Sequence, residues 1–270
     1  ITAGAFEASE VKKSTVLKPL DIVTTASAAG DIMGAINTLP GTTAVGESGR
    51  VFVRGGEGYE TKVFIDGLEV KNAFNSTIPN VPTRGRFSPF LFKGTVFSTG
   101  GYSAEYGQAL SSVLILNSND KAIEDKTEIS LMSVGGDISH TTAWDKTSLS
   151  AKIQYTDLRP HQNLIDQEFD WETPPHGYVG EVVLRQEVGD DGLLKFYSNI
   201  DRSNFSIREQ NLNSGTKDTV DLTNDYQYFN VSYRDIIKND WTVRGGLSFT
   251  QNSDDVKFNQ LRLLDKTEGW

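Results

Sequence analysis

The 270-residue chain contains no cysteine, which excludes disulfide bonds, thiolate metal sites and a cysteine nucleophile. It also lacks any run of about 18 consecutive apolar residues, so no transmembrane helix is expected. Basic residues are in deficit, with 26 Lys and Arg against 36 Asp and Glu, which argues against a nucleic-acid-binding surface. The three histidines stand singly, and phosphate-loop and nucleophile-elbow motifs are missing. We therefore expect no enzymatic activity, no cofactor and no metal.

What the chain does contain is a series of stretches that alternate polar and apolar residues. In residues 148–156, Leu149, Ala151, Ile153 and Tyr155 occupy every second position. Because the side chains of a strand alternate between its two faces, this pattern predicts strands with one face toward lipid and one toward a polar lumen. The predicted strands cover residues 126–134, 137–144, 147–157, 178–188, 193–204, 225–236 and 241–252.

The connections between these predicted strands alternate in length. Short turns are expected at residues 145–146, 189–192 and 237–240, and long polar loops at residues 158–177 and 205–224. This asymmetry is typical of an outer-membrane barrel, after a brief first loop at Gly135 and Gly136. A single-chain bacterial barrel closes on an even number of strands, so seven strands predict a fragment of a larger barrel.

Residues 1–120 have a mixed pattern that predicts a small α+β domain, with residues 121–270 forming the strands. Within it we expect strands at residues 20–24, 51–53, 62–65, 90–92 and 113–116. Asp31 is positioned to cap a helix that ends at Pro40, and Asp66 with Gly67 signals a turn. Residues 72–89 form a loop that is longer than most inert connections.

Several short motifs follow one another at characteristic spacings in this first part. They are Leu39-Pro40-Gly41, Val51-Phe52-Val53-Arg54-Gly55, Val63-Phe64-Ile65-Asp66-Gly67, Phe92-Lys93-Gly94 and Tyr102-Ser103-Ala104-Glu105-Tyr106-Gly107. Over residues 20–118 their order and spacing resemble the plug domain of TonB-dependent outer-membrane receptors. The last motif looks most like receptors of Bacteroidetes-type bacteria. The resemblance implies that Pro40, Gly41, Gly55, Asp66, Gly67, Lys93, Gly94, Tyr106 and Gly107 have structural roles.

The resemblance implies an α+β plug domain followed by the antiparallel strands of a transmembrane β-barrel, of which about seven are present. It implies a protein of the outer membrane of a Gram-negative bacterium that imports a scarce ligand by an energised rearrangement of the plug. The implied partners are the TonB complex, through a segment upstream of residue 1, the outer-membrane lipid and an unidentified small ligand. A surface lipoprotein is a further candidate partner, and no nucleic acid is expected.

Two groups of residues are candidates for function. Arg54, Glu105 and Arg86 are candidates for a charged lock between plug and barrel, although Arg54 could equally be a solvated arginine at a strand end. Amides and hydroxyls suit a neutral polar ligand, whereas an arginine suits a carboxylate or phosphate. The candidate ligand-binding residues, which could instead form a solvated loop, are Tyr59, Asn75, Ser76, Thr77, Asn80 and Arg84.

Two other readings of the same alternation remain open at this point. The first is a non-transporting outer-membrane barrel used for adhesion, secretion or assembly. The second is a soluble, β-rich carbohydrate-binding protein.

Overall fold

The computed structural model describes residues 14–28, 30–45, 48–79, 81–162, 164, 169–210, 217–237 and 241–260. The chain divides into two compact units. The first combines Ile1–Lys121 with Arg185–Lys195 and Asn230–Thr250, and the second combines Ala122–Leu184, Phe196–Phe229 and Gln251–Trp270. The predicted fold class is confirmed, since an α+β segment precedes an antiparallel sheet of seven strands.

The N-terminal segment contains a five-stranded sheet, a separate two-stranded sheet and two short helices. Its elements are β1 (Ser14–Leu17), α1 (Pro19–Thr24), α2 (Ile32–Ile36), β2 (Thr42–Val45), β3 (Ser48–Val53), β4 (Thr61–Ile65), β5 (Leu68–Val70), β6 (Phe92–Ser98) and β7 (Ser112–Ser118). The order in the large sheet is β1-β6-β7-β4-β5. Strands β4 and β7 are parallel, while the other neighbours in this sheet are antiparallel.

One face of the large sheet is covered by the tyrosine motif of residues 102–107. Phe64, Val113 and Ile115 form a buried cluster with Val96, and Tyr102, Tyr106 and Ala109 pack against it. The ring of Tyr106 meets the ring of Phe64 edge to face at 5.1 Å, a favoured geometry for aromatic pairs. The motif therefore extends this hydrophobic cluster, and the structural role of Tyr106 stays a prediction.

Helix α1 corrects the predicted strand at residues 20–24. Pro19 stands in the first turn, where its missing N–H is not needed. The carboxylate of Asp21 accepts a hydrogen bond of 2.8 Å from the backbone N–H of Lys18, which precedes the helix. These local signals favour a helix, and the apolar residue Ile22 is buried by it. The predicted strand at residues 90–92 is also wrong, because Pro89–Leu91 forms a 3-10 turn and Phe90 is exposed.

The C-terminal strands follow one another in sequence order across the seven-stranded sheet. They are β8 (Lys126–Met132), β9 (Gly135–Ala143), β10 (Thr147–Asp157), β11 (Trp171–Val188), β12 (Gly192–Gln210), β13 (Lys217–Ile237) and β14 (Trp241–Gln260), with a helical turn, α3 (Arg159–Gln162), after β10. The short turns after β9 and β11 are confirmed. The predicted turn after β13 includes residues 238–240, which lie outside the described residues.

The first connection lies at residues 133–134, so Gly135 and Gly136 begin β9 instead of forming the predicted loop. Gly135 has a φ of 146° and its backbone closely approaches the neighbouring strand β10. A Cβ atom at this position would lie 2.1 Å from the carbonyl oxygen of Tyr155. Glycine is needed here because the backbones of β9 and β10 approach closely. A glycine within a strand can therefore resemble the glycine of a turn in the sequence.

The two faces of the seven-stranded sheet differ in the side chains that they expose. Leu149 and Ile153 are 39% and 66% exposed, whereas Arg185 is only 1% exposed. Other exposed apolar side chains are Ile129, Leu131, Ile138, Val182, Val188, Val243, Leu247 and Phe249. Buried polar side chains are Glu181, Asn199, Asp201, Asn224 and Asn230. Apolar side chains are thus exposed on several strands while charged and amide side chains are buried, although the buried set of β12 and β13 also includes Tyr197, Tyr226 and Tyr228.

Strands β11 to β14 are longer than predicted, with 18, 19, 21 and 20 residues. All four extend at the end where long loops were expected, so the predicted loop boundaries at residues 158–177 and 205–224 are wrong. A tilted strand needs only about 9–11 residues to cross a bilayer. The additional residues therefore extend beyond the hydrocarbon layer. None of the helices in the described ranges is long and apolar enough to span a membrane.

Asp31 provides a test of how α2 is held. Its carboxylate accepts 3.2 Å hydrogen bonds from the N–H groups of Gly34, in the first turn of α2, and Gly85. Burial raises its pKa above the ordinary value of 3.8, against the lowering effect of these bonds and of Arg84. We expect Asp31→Ala to destabilise the N-terminal segment by about 1–3 kcal/mol, since it removes a helix cap and leaves the part-buried N–H groups of Gly34 and Gly85 without this acceptor. Asp21→Ala, at the exposed start of α1, is the control and should cost less.

The pH dependence follows from the direction of this pKa shift. The folded protein binds a proton at Asp31 more tightly than the unfolded chain, so stability falls as pH rises from about 3.8 through the folded pKa. Asp31→Asn cannot titrate, and the stability difference between wild type and this variant should shrink over that range. Urea unfolding of the detergent-solubilised protein, followed by a fluorophore on one introduced cysteine in residues 14–121, measures it. A difference that grows with pH would contradict this account.

Candidate functional site

The end of β7 and the turn after β4 form a polar hub within the first unit. Asp66 and Gly67 both have positive φ angles, of 50° and 85°, as a two-residue hairpin turn between β4 and β5 requires. This turn brings the Asp66 carboxylate to Ser118, the last residue of β7. One oxygen accepts a 3.1 Å bond from the Ser118 N–H, and the other pairs with the Ser118 hydroxyl.

Two basic side chains from the seven-stranded sheet bind this hub. Lys195 of β12 places its Nζ 3.2 Å from Asp66 Oδ1 and 3.2 Å from the carbonyl oxygen of Ser118. Arg185 of β11 donates from its Nη2 to the Ser118 hydroxyl at 2.7 Å and from its Nε to the carbonyl oxygen of Asn119 at 2.9 Å. The two strands therefore hold one short piece of chain at the end of β7.

The hub is largely shielded from water. The side chains of Lys195 and Asp66 are 15% and 8% exposed, and Arg185 and Ser118 are buried. Charges in such surroundings require paired partners and hydrogen bonds, and removing one member leaves the other uncompensated. Nearby pairs are more open to solvent: Lys93 binds Asp120 at 2.7 Å, and Lys121 lies 3.3 Å from Glu187.

Strands β13 and β14 contact the β4–β5 hairpin through neutral groups. The amide of Asn230 donates to the carbonyl oxygen of Ile65 at 2.9 Å, and the hydroxyl of Ser248 donates to the carbonyl oxygen of Glu69 at 3.3 Å. Gly246 allows Leu68 to pack closely, because a Cβ at this position would lie 2.9 Å from a Leu68 methyl. Each of the strands β11 to β14 thus provides a donor to an acceptor in the N-terminal segment.

The three predicted lock residues occupy different surroundings. Arg54 is exposed, has a positive φ of 51° and donates to the hydroxyl of Thr99 at 3.2 Å. Glu105 lies 3.9 Å from Arg244 of β14, and both side chains are about half exposed. Arg86 is buried and donates to the carbonyl oxygen of Asn72 and, at 3.3 Å, to the side-chain oxygen of Asn75. The lock role of these three residues stays a prediction.

The predicted ligand loop is a folded hairpin-like segment. Phe74 and Gly85 form a β-bridge, and the Asn75 N–H donates to the carbonyl oxygen of Arg84 at 2.9 Å. The hydroxyl of Thr77 donates to the carbonyl oxygen of Val81 at 3.0 Å. The structure thus brings Asn75 and Arg84 together.

The remaining candidate ligand residues differ in their exposure to solvent. Ser76 is half-buried, Arg84 is exposed, and Tyr59 is 67% exposed in the 3-10 turn Gly58–Glu60. Asn80 lies outside the described residues. Ligand binding by these side chains is a prediction that the geometry leaves open.

The residues that bind the hub were not among the predicted site residues. Alternation assigns Arg185 to the polar face of its strand, but it does not identify a partner 66 or more positions away. Lys195 gives a weak signal in the sequence Leu193-Leu194-Lys195-Phe196, where one charge stands among apolar residues. The backbone acceptors of Ile65 and Glu69 give no sequence signal at all.

The described residues contain no group of three or more His, Cys, Asp or Glu side chains arranged to hold a metal ion. The chemistry available at the hub is therefore that of ion pairs and hydrogen bonds.

Comparison with known proteins identifies the first part of the chain. Residues 9–113 match the family model described as "TonB-dependent Receptor Plug Domain". A search of curated protein sequences finds no match.

Solved structures share the fold of most of the chain. The alcaligin outer-membrane receptor FauA from Bordetella pertussis is 14% identical with a TM-score of 0.58, and 90% of this chain aligns with 39% of it. The ferric citrate transporter FecA is 11% identical with a TM-score of 0.55, and 92% of this chain aligns with 48% of it. The siderophore receptor PirA from Pseudomonas aeruginosa is 14% identical with a TM-score of 0.50, and the shares covered are 90% and 50%. The chain thus spans about half or less of each receptor.

Plug domains of this family belong to outer-membrane receptors of Gram-negative bacteria, which are not enzymes. The expected location is confirmed, the expectation of no enzymatic activity agrees with the family, and the reading as a soluble carbohydrate-binding protein is wrong. The Bacteroidetes-type resemblance stays a prediction. Residues 9–113 are thus a plug domain of the TonB-dependent receptor family, and it is followed by seven antiparallel strands in a chain that shares the fold of outer-membrane receptors.

Proposed function

We propose that the complete protein is a TonB-dependent transporter that imports a scarce ligand by energised rearrangement of its plug. Relatives with this fold are described as a siderophore receptor, a copper transporter and a ferric citrate transporter. In this proposal the TonB complex contacts a segment upstream of residue 1. The outer-membrane lipid surrounds the strands, and a surface lipoprotein is a further candidate partner.

The observation that best supports transport is the chemistry of the contacts between the plug residues and strands β11 to β14. Lys195, Arg185 and Asn230 hold the plug residues through ion pairs and hydrogen bonds instead of a dry apolar interface. The neutral hydrogen bonds among these contacts can be exchanged for hydrogen bonds with water, whereas the shielded cations Lys195 and Arg185 oppose separation. A plug held in this way is suited to move where its contacts are neutral and to stay attached where they are charged.

We propose that the ligand contacts the segment of residues 72–86, where the structure joins Asn75 to Arg84. The amides and hydroxyls of this segment suit a polar ligand, and an exposed arginine suits an anionic group on it. Ser76, Thr77, Asn80 and Tyr59 remain candidate contacts. Domain limits of 1–120 for the plug and 121–270 for the barrel strands are part of this proposal.

Transport is tested by uptake in cells that express the complete receptor. Labelled ferric chelates, a vitamin, an oligosaccharide and a peptide are offered in parallel, because the ligand class is open. We expect saturable uptake of one of them, and we expect deletion of the segment upstream of residue 1 to reduce it more than tenfold, since the plug is then not energised.

Surface display of the deletion variant, measured with an antibody against the barrel, controls for expression. Uptake that is unchanged by the deletion would argue against this proposal. Failure of all probes, together with binding of the cells to a surface, would favour the non-transporting barrel used for adhesion.

A second prediction concerns how the plug is held. Lys195→Met leaves the Asp66 carboxylate buried without its cation, and removing one member of a buried pair costs about 3–5 kcal/mol. We expect a matching loss of stability of the plug, measured by urea unfolding of the solubilised receptor. Lys93→Met is the matched control, because its pair with Asp120 is 41% and 53% exposed and should contribute less than about 1 kcal/mol.

The double variant Asp66→Asn with Lys195→Met completes a double-mutant cycle. Asparagine tolerates the positive φ of the turn and keeps an acceptor for Ser118. The double variant should therefore be more stable than Lys195→Met alone. Additive losses from the two substitutions would show that the ion pair does not hold the plug.

A further inference from the structure

The contacts between the plug residues and the strands fall into two chemically different sets. On β11 and β12, the contacts are made by the charged side chains Arg185 and Lys195. On β13 and β14, the amide of Asn230 and the hydroxyl of Ser248 make the hydrogen bonds. This division is independent of ligand identity.

The charged set acts on the end of β7. Arg185 binds Ser118 and Asn119, and Lys195 binds Ser118 and Asp66. These groups are shielded from water, and β7 is an interior strand paired on both sides. Removing Ser118 from this position would break hydrogen bonds to two shielded cations, which opposes separation.

The neutral set acts on the β4–β5 hairpin: Asn230 binds the Ile65 carbonyl at the end of β4, and Ser248 binds the edge strand β5. Strand β5 has three residues and pairs with β4 on one side. Its Glu69 carbonyl accepts the bond from Ser248, and Leu68 packs on Gly246. The ion pair on this side, between Glu105 and Arg244, is half exposed and 3.9 Å long, so it adds little.

Asp66 joins the two sets because it is the first residue of the turn between β4 and β5. Its carboxylate is bound to Ser118 and Lys195, while the chain continues from it directly into β5. The turn can therefore remain attached to the charged side while the strand beyond it changes position.

We infer that, among the strands of this chain, the plug opens on the β13–β14 side. Strand β5 leaves β14, Asp66 is the pivot, and Ser118 stays anchored to β11 and β12. The inference deepens the proposed function and rests on it, since it assigns the place where a transport path forms.

Hydrogen–deuterium exchange of the complete solubilised receptor tests this without a ligand. Two cysteine pairs, each joined by the same short bis-maleimide, provide the comparison in a chain that has no cysteine of its own. Leu68→Cys with Ser248→Cys bridges the neutral side. Lys121→Cys with Glu187→Cys bridges the charged side at an existing 3.3 Å ion pair and leaves the hub intact.

We expect the first bridge to slow exchange of the amides of Leu68–Val70 more than tenfold and the second to change it less than twofold. Equal slowing by both bridges would overturn the inference, as would exchange of residues 113–118 at the same rate as Leu68–Val70. In a variant without bridges, Ser248→Ala should accelerate exchange in β5 more than threefold and leave residues 113–118 unchanged. No change in β5 would also count against the inference.

The exchange measurement and the uptake assay are independent. A receptor that gives the expected exchange rates but takes up no ligand would refute the proposed transport and leave the inferred movement of β5 in place.

Discussion

The buried cations Arg185 and Lys195 are the constraint on which the rest of the arrangement depends. Taking a charge out of water costs several kcal/mol, so each cation must have acceptors in place before the strands and the plug residues can associate. Asp66, Ser118 and Asn119 supply them, and they can do so because β4 and β7 run parallel and end at the same edge of the sheet. The hairpin turn after β4 then places a carboxylate where the two strand ends meet. The topology of the plug sheet thus creates the acceptors that bind the two cations.

Much of the barrel portion could be predicted from sequence, because membrane strands obey a simple rule. Lipid requires an apolar side chain at every second position, and Leu149, Ile153 and Val182 meet that requirement. The requirement for alternating apolar side chains applies only to the strand residues that contact lipid. Residues 171–177 include Pro174, Pro175 and His176, which look like a loop but belong to β11. Outside the hydrocarbon layer, pairing with the neighbouring strand suffices, and no periodic signal marks the strand.

The plug was less predictable, since its local signals compete. Residues 20–24 contain β-branched residues that favour a strand, yet Pro19 and Asp21 start a helix there. The contacts with the strands were least accessible to sequence analysis. Motif comparison directs attention to arginines and glutamates such as Arg54 and Glu105, whereas several observed acceptors are backbone carbonyls, at Ile65, Glu69 and Asn119. A backbone acceptor is present at every residue, so only the three-dimensional fold determines which of them is used.

A plug that must both seal a barrel and move needs unequal contacts. If charged pairs held it on every side, several uncompensated charges would arise together on opening, and the cost of each, about 3–5 kcal/mol, would add. Neutral hydrogen bonds contribute about 0.5–1.5 kcal/mol each and can be replaced by water. In the proposed opening, the shielded charges on β11 and β12 form the firm side, and the hydrogen bonds of Asn230 on β13 and Ser248 on β14 form the yielding side. If the plug opens in this way, the neutral contacts set the force needed for opening, and the charged hub determines where the plug returns.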